Sequence, residues 1–436
     1  MSTFKQTTTE LHTHLLSMLS ADGFVNLLRK YYPITDDALS NPYLSEEIKE
    51  DLQKYYSYTP DELSQIVTIH TPVKPPITMH EFFVARRDLL CIFSGLTEVY
   101  SFLDMLVLVY DLNKDEEIKN HFYKLYKNGT EKDKDLVQWL VYSEYLNLAL
   151  EELINQGVEY VEISYANLPT IRNLYIKKEI ADKIECRFML CTNRDNIAFH
   201  VGQKTGKAKK VYTYANHAVK ALKAGLEWSH EEALSESLSN KQKNIVGFDI
   251  MGQETPFSDP ELSRSPESER SFYNKLKIIL DVLQNDYKDT NKMNTFRIHG
   301  GEVPGTDDNI LQTLIMLDEL APISPLGHIP PPEIRIGHGV YFKDTQEYFD
   351  LLRKYKVIIE INATSNEKLG NIQDITDIRY QRYLAENIPI VIATDGHGLY
   401  DTTIVNEDKK ALSVVGNDFT KIQNSEKKFL STRWDD

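Results

Sequence analysis

One physical pattern repeats along the chain from about Gly157 onward. A short β-branched or aromatic run is followed by a polar stretch and then by a segment of helical character. Several runs are almost continuously apolar, which is typical of strands covered on both faces. With one run near the start, the predicted strands are Thr9–His14, Tyr160–Tyr165, Arg187–Cys191, Ile245–Ile250, Thr295–His299, Glu333–Gly337, Val357–Ile361 and Ile388–Thr394.

Eight strands alternating with helices predict an α/β fold, a (β/α)8 TIM barrel whose functional loops follow the carboxyl ends of the strands. The structural alternative is a doubly wound open sheet, which predicts a glycine-rich phosphate-binding turn after the first strand. The segment after Thr9–His14 reads Leu-Leu-Ser-Met-Leu and contains no such turn. We therefore expect a single barrel domain over residues 1–436.

Residues 15–156 are too long for one barrel unit and are predicted to be mainly helical. Ser20 is a suitable N-cap, and long helices are expected over Met79–Asp111 and from about Glu131 to Gln156. The first helix is indicated by apolar side chains at helical spacing, namely Phe24, Leu27, Leu28 and Tyr31. Because this block follows the first strand, we expect it to form a cap over the barrel mouth.

The composition limits the partners and the compartment. With 49 Lys and Arg against 65 Asp and Glu, the formal charge of −16 argues against a general nucleic-acid binder. The three cysteines form no CxxC pair, which favours a reducing compartment and leaves His and carboxylates as the available metal ligands. Segment 1–10 is polar, and the longest apolar run, Met105–Tyr110, is too short to span a bilayer. We predict a cytoplasmic protein with no membrane partner.

The first strand ends in His12-Thr13-His14. Side chains at i and i+2 of a strand point to the same face, so both imidazoles are expected to project into the barrel together. Two such imidazoles make half of a site for a divalent metal. A surface pair of histidines is the alternative for an isolated motif of this kind.

Three other strand ends carry complementary groups, in the segments His299–Glu302, Gly337–Gly339 and Thr394–His397. Together with the first strand they offer three His and one Asp as metal ligands, and leave a position for a water whose pKa the metal lowers. Glu302 and His338 remain as acid and base groups. This set favours hydrolysis at an sp² carbon. The alternatives for these two residues are a helix N-terminal carboxylate and a packed core imidazole.

The chain resembles the metal-dependent adenosine/AMP deaminase family of the amidohydrolase superfamily. The matching segments occur in family order from the first strand to the eighth: Glu10–His14, Val161–Tyr165, Gly247–Glu254, His299–Glu302, Arg335–Gly339, Thr364–Asn366 and Thr394–Asp395. Each motif is weak alone, but seven in register are specific. The resemblance implies hydrolytic removal of the 6-amino group of a purine, with release of ammonia.

Residue roles follow from the resemblance as implications. One Zn²⁺ per chain, with Fe²⁺ or Mn²⁺ as alternatives, would be held by His12, His14, His299 and Asp395, and Asp395 would also touch the activated water. Glu302 would donate a proton to a ring nitrogen, and His338 would orient the water and take up its proton. The backbone of Gly252 would contact the purine ring.

Two positions depart from the family pattern. The adenosine enzymes carry an acidic residue that reads the ribose 5′-hydroxyl where this chain has Leu16. The family also usually has a second Asp where this chain has Gly396. His397 is a possible substitute substrate contact, or simply a loop residue. These departures weaken the prediction of the substrate more than that of the reaction.

A lysine-rich segment, Gly202–Lys210, follows the third strand and contains Lys204, Lys207, Lys209 and Lys210. With Arg194 nearby, it could bind a nucleotide phosphate, although a solvated surface loop is the commoner explanation. The substrate is thus predicted as adenosine, deoxyadenosine, AMP, dAMP or ATP. A metal-dependent amidohydrolase with another substrate and a non-catalytic assembly or sensor subunit stay open as alternatives. The oligomeric state is also open.

Overall fold

The computed structural model describes residues 8–31, 46–73, 81–90, 116–128, 133–166, 168–194, 245–252, 254, 272–277, 279–280, 295–320 and 333–434. All statements below refer to these residues. Eight strands form one sheet in which each strand pairs in parallel with the next along the chain. They are β1 Thr9–His14, β2 Tyr160–Tyr165, β3 Glu185–Asn193, β4 Ile245–Met251, β5 Thr295–Gly300, β6 Glu333–His338, β7 Ile358–Ile361 and β8 Ile390–Ile392.

The predicted (β/α)8 barrel is confirmed. A parallel bridge between Thr13 and Asp395 brings the last strand end against the first, so the sheet is nearly closed. β8 is shorter than predicted, because the Thr394 N–H donates to the Glu10 carboxylate and Asp395 leaves the extended conformation with φ +64°.

The helices between β1 and β2 are Ala21–Tyr31, Glu46–Ser57, Pro60–Val67, Glu116–Asn128 and Asp133–Asn155, with a further helical segment at 81–90. The Ser20 hydroxyl accepts from the Gly23 N–H at 3.0 Å, as an N-cap does. Only 81–90 of the predicted helix Met79–Asp111 is described; 91–115 lie outside the described residues. That residues 15–156 act as a cap stays a prediction.

The remaining described α-helices follow β2 and the later strands. They are Leu168–Asn173, Lys178–Ala181, Asn309–Leu320, Gln346–Lys354, Ala363–Lys368, Tyr380–Ala385, Ile404–Val415 and Phe419–Trp434. A continuous apolar cluster joins strands and helices. No described helix has both the length and the apolar character needed to cross a membrane.

The barrel interior contains a fully buried layer of opposite charges. Arg335 pairs with Glu162 and, at 2.6 Å, with Glu360, and Arg297 pairs with Glu360 at 2.8 Å and Asp249 at 3.2 Å. Since an unpaired buried charge is strongly destabilising, these side chains stabilise the barrel only as a connected set. The layer lies directly below the strand ends that carry the predicted site.

Candidate active site at the strand ends

The structure brings the four predicted metal ligands together. His12 and His14 end β1, His299 lies near the end of β5, and Asp395 follows β8; one ligand atom from each lies within 4.8 Å of all the others. His14 Nε2 is 3.2 Å from Asp395 Oδ1, and His12 Nε2 is 3.0 Å from His299 Nε2. The alternation of side chains in β1 therefore directs both histidines to one point.

Two buried carboxylates orient the histidines from behind. Asp249 of β4 lies 3.1 Å from His299 Nδ1, and Glu360 of β7 lies 3.0 Å from His12 Nδ1. The outer nitrogen of each ring is thus held, and Nε2 is directed at the cluster. This is the usual arrangement behind metal-binding histidines. Neither carboxylate was predicted from the sequence to have a role, although each is an ionisable residue inside an otherwise apolar strand.

The protonation of the cluster suits a cation. Burial lowers the pKa of His12 well below its usual value, so its imidazole is neutral. Burial acts to raise the pKa of Asp395, but the hydrogen bonds from His14 and Ser365 hold that pKa below its usual value. Imidazole nitrogens and one carboxylate are a donor set that zinc and other first-row metals accept. The described residues therefore fit a divalent metal.

Glu302 and His338 lie beside this cluster, with His338 Nε2 3.8 Å from Glu302 Oε2. Burial raises the pKa of Glu302 to about 7 and lowers the pKa of His338. Near neutral pH the carboxyl can therefore donate a proton, and the imidazole can accept one. His338 has φ +70°, an uncommon conformation for a side-chain-bearing residue that is often found at functional sites.

Glu254 holds the loop that carries Glu302. Its buried carboxylate accepts hydrogen bonds from the backbone N–H groups of Gly301 and Glu302 at 2.9 and 2.8 Å, and from the Asn309 amide at 2.9 Å. Arg194 donates to the same carboxylate and to the His299 carbonyl. No role was predicted for Glu254 from the sequence, although this residue closes one of the matching segments.

A cavity of about 420 Å³ opens over the cluster. His14, His299, His338, Glu302 and Asp395 line one side. Apolar side chains from the barrel loops and from the segment between β1 and β2 supply most of the remaining described wall, namely Leu15, Leu16, Val73, Phe83, Met251, Val303, Leu369 and Tyr400. The site can thus hold a small, largely apolar molecule against the polar strand ends.

The three predicted substrate-binding residues differ in placement. Gly252 lines the cavity and has φ +105°, a conformation that favours glycine. Arg194 does not line the cavity, because its guanidinium is engaged by Glu254. His397 does not line it either, since its imidazole is buried against Glu152 at 3.0 Å. The predicted lysine segment Gly202–Lys210 lies outside the described residues.

The departures from the family pattern have a structural basis at one position. Leu16 lines the cavity with an apolar side chain, as its identity predicts. Gly396 has φ +142°, and a Cβ there would collide with the Ser17 hydroxyl. Ser17 donates to the carbonyls of His14 and Asp395 at 2.7 and 3.0 Å, so it fixes both ligand-bearing loops. No side chain fits at position 396 while Ser17 is in place.

The fold and the cluster define a (β/α)8-barrel protein with a candidate metal centre at the carboxyl ends of its strands. Residues 329–434 match the family model described as "Adenosine deaminase". A curated relative, the adenosine deaminase of Enterococcus faecalis, is 25% identical over 194 residues, which are 44% of this chain and 47% of that protein. The chain thus spans about half the length of that relative.

Two solved structures share the fold. The N6-methyl-AMP deaminase from Arabidopsis thaliana has a TM-score of 0.50 and 17% identity, with 94% of this chain and 87% of that chain covered. The ADAL–IMP complex has a TM-score of 0.50 and 16% identity, with coverage of 96% and 90%. These two structures show the shared fold alone. The family-model match over residues 329–434 and the curated relative agree with the resemblance drawn from the motifs.

Proposed function

We propose that this protein is a metal-dependent hydrolytic deaminase that converts the 6-amino group of an adenine nucleoside or nucleotide to a 6-oxo group and releases ammonia. The observation that carries the proposal is the convergence of four strand ends. They unite a His3Asp ligand set with an acid of raised pKa, Glu302, and a base of lowered pKa, His338, at one side of a single cavity.

The proposed metal is one Zn²⁺ per chain, with Fe²⁺ or Mn²⁺ as alternatives, held by His12, His14, His299 and Asp395. When bound, the metal supplies a water of lowered pKa that can attack an electron-poor ring carbon. Asp249 and Glu360 keep the imidazoles of His299 and His12 oriented toward it.

The acid and base divide the proton transfers between them. Glu302, protonated below about pH 7, donates its proton to the ring nitrogen next to the amino-bearing carbon, which makes that carbon electrophilic. His338, neutral because burial lowers its pKa, orients the attacking water and takes up its proton. Glu254 keeps Glu302 in reach by holding the backbone N–H groups of Gly301 and Glu302.

The substrate is proposed to be a single purine nucleoside or nucleotide rather than a long nucleic acid. Of the two solved structures that share the fold, one is named as an N6-methyl-AMP deaminase and the other is a complex with IMP. The cavity supports the proposal because Gly252 lets a flat ring approach the backbone, and the apolar wall suits the faces of a base. Leu16 cannot accept a hydrogen bond from a free 5′-hydroxyl.

A second candidate keeps the same chemistry but moves it to another amidohydrolase substrate. The observation in its favour is Gly396, which provides no side-chain contact to a purine and cannot gain one while Ser17 fills the space. Both candidates require the same metal centre and the same acid and base. They differ only in what the cavity holds.

A substrate panel tests the proposal. Metal-loaded protein is incubated with adenosine, 2′-deoxyadenosine, AMP, dAMP and ATP, and both ammonia release and the adenine-to-hypoxanthine absorbance change are followed. Turnover of at least one compound is expected. Stoichiometric metal with no turnover would favour the other amidohydrolase substrate, whereas failure to retain metal would favour a non-catalytic role. A variant without Lys204, Lys207, Lys209 and Lys210 tests the phosphate prediction, because it should raise KM for AMP far more than for adenosine.

A further inference from the structure

Arg297 and the candidate metal ligand His299 point the same way from β5. They are two residues apart, and side chains at i and i+2 of a strand project from the same face. The fully buried guanidinium of Arg297 thus lies inside the barrel, in the charged layer below the ligand cluster. Arg297 is not one of the four ligands, so any effect that it has on the metal must pass through its neighbours.

Two contacts of this guanidinium lead to the two carboxylates that orient the histidines. Arg297 Nε lies 2.8 Å from Glu360 Oε2, and the same oxygen lies 3.0 Å from His12 Nδ1. Arg297 Nη1 lies 3.2 Å from Asp249 Oδ2, and the other oxygen of Asp249 lies 3.1 Å from His299 Nδ1. These contacts form an unbroken chain, which we call the support chain, in the order His12, Glu360, Arg297, Asp249 and His299.

The guanidinium is also held from two other strands. Its Nη2 donates to the carbonyl of Leu11 in β1 at 2.7 Å, and its Nη1 donates to the hydroxyl of Ser164 in β2 at 3.1 Å. The Ser164 hydroxyl in turn donates to Asp249 Oδ2 at 2.6 Å. An arginine can make these contacts at once because its planar guanidinium carries five N–H donors in a rigid fork, whereas a lysine has a single nitrogen.

We propose that Arg297 is a positioning residue. Through the support chain it fixes the imidazoles of His12 and His299 relative to each other, and so raises the affinity of the metal site. The proposal rests on the metal centre of the proposed function. Among the described residues, no other Lys or Arg lies within 4.0 Å of the Asp249 carboxylate, and Glu360 has a second cation, Arg335, only on its other oxygen. Without Arg297, neither carboxylate would be held in its present orientation toward its histidine.

The buried charge layer also stabilises the barrel, so a loss of stability has to be separated from a loss of positioning. Glu162 provides the control, because its fully buried carboxylate belongs to the same layer and pairs with Arg335. Two members of the layer, Arg335 and Glu360, separate it from His12. E162Q should therefore disturb the layer and lower the thermal midpoint without turning a metal-binding imidazole.

The test compares R297K, D249N, the double variant R297K/D249N and the control E162Q with wild-type protein. R297K keeps the positive charge, so it disrupts the layer less than removal of the charge would, but its single nitrogen cannot reach both carboxylates. The affinity for Zn²⁺ is measured by competition with a chelator, and folding is checked by the thermal midpoint. Neither measurement needs a substrate.

R297K is expected to weaken Zn²⁺ binding by about 10–100-fold, the usual effect of a group behind a metal ligand, whereas E162Q should keep the wild-type affinity. R297K/D249N should lose less than the product of the two single losses, because both changes act on His299. Wild-type affinity in R297K, equal losses in R297K and E162Q, or single losses that multiply fully in the double variant would each overturn the proposal.

If R297K does not fold, R297M/D249N takes its place, because it removes two opposite charges together. This variant should bind Zn²⁺ more weakly than D249N, since the contact to Glu360 is lost as well, and equal affinity of the two would overturn the proposal. Zn²⁺ binding without turnover of any adenine compound would refute the proposed function alone. Wild-type protein that turns over an adenine compound while R297K binds Zn²⁺ equally well would refute only the role of Arg297, and wild-type protein that binds no metal would overturn both.

Discussion

Replacement of Glu254 by Gln tests how the loop carrying Glu302 is held in place. Each carboxylate oxygen accepts from more than one donor. Oε1 faces the Gly301 N–H and the Asn309 amide, and Oε2 faces the Glu302 N–H at 2.8 Å and the Thr306 hydroxyl at 3.2 Å. A glutamine amide has one oxygen and one NH2 group. The NH2 group must therefore face one of the two sets of donors, and those donors lose their acceptor.

The less costly orientation places the NH2 group at the Oε2 position. The Thr306 hydroxyl can adapt there, because it also donates to the Val303 carbonyl at 2.6 Å and can accept from the new amide. The Glu302 N–H cannot adapt and is left without its acceptor. Loss of this charge-assisted hydrogen bond should cost about 1.5–3 kcal/mol of the free energy of unfolding. The Glu302 carboxyl should then lose its position, so kcat should fall more than KM changes.

Urea denaturation and ammonia release are measured for E254Q and for a control, E386Q. Glu386 carries the same functional group at the surface, where it pairs with Arg353 and Arg382. Surface pairs contribute little, so E386Q should change stability much less and leave kcat unchanged. An E254Q variant that is as stable and as active as the wild type, or that behaves like E386Q, would contradict this role of Glu254.

Three further predictions follow from individual contacts. Burial raises the pKa of Glu302 to about 7, and the protonated carboxyl is the proton donor, so kcat/KM should fall as the pH rises through about 7. E302Q should lose this pH dependence together with most of the activity. An E302Q variant whose kcat/KM still falls above about pH 7 would contradict this. D249N should weaken metal binding by about 10–100-fold in a chelator competition, since it removes the charge that orients His299. Equal metal affinity of D249N and the wild type would argue against a role of Asp249 in orienting His299. G396A should lower the free energy of unfolding, measured by urea denaturation, by about 1–3 kcal/mol because its methyl group collides with Ser17. The added change S17G should recover part of this loss. No recovery would show that the collision does not cause the loss of stability.

The barrel and its ligand set were predictable because their signals are local. A strand buried on both faces is recognised in the sequence as an apolar run. β1 has the predicted limits Thr9–His14 and carries the alternating histidines His12 and His14. The end of β8 was placed too late. β8 ends earlier because the Thr394 N–H donates to the carboxylate of Glu10, in β1, and not to a strand of the sheet. That contact joins residues 384 positions apart and leaves no trace in the local pattern.

The partners of the site residues were harder to predict for the same reason. Asp249 and Glu360 stand out as charges within apolar strands, but the sequence does not say which histidine each one meets across the barrel. Arg194 was expected to face a phosphate, and its actual partner, Glu254, is 60 residues away. The partner of His397 is Glu152, on the long helix Asp133–Asn155 before β2, so the position of His397 depends on how this helix packs against the barrel.

The most direct test of the central claim is ammonia release by wild-type protein and by E302Q, with the metal content determined on the same samples. Wild-type protein should release ammonia from at least one adenine nucleoside or nucleotide, and E302Q should hold the same amount of metal but release almost none. Metal-loaded wild type that releases no ammonia from any of these compounds, or E302Q that keeps substantial activity, would contradict it.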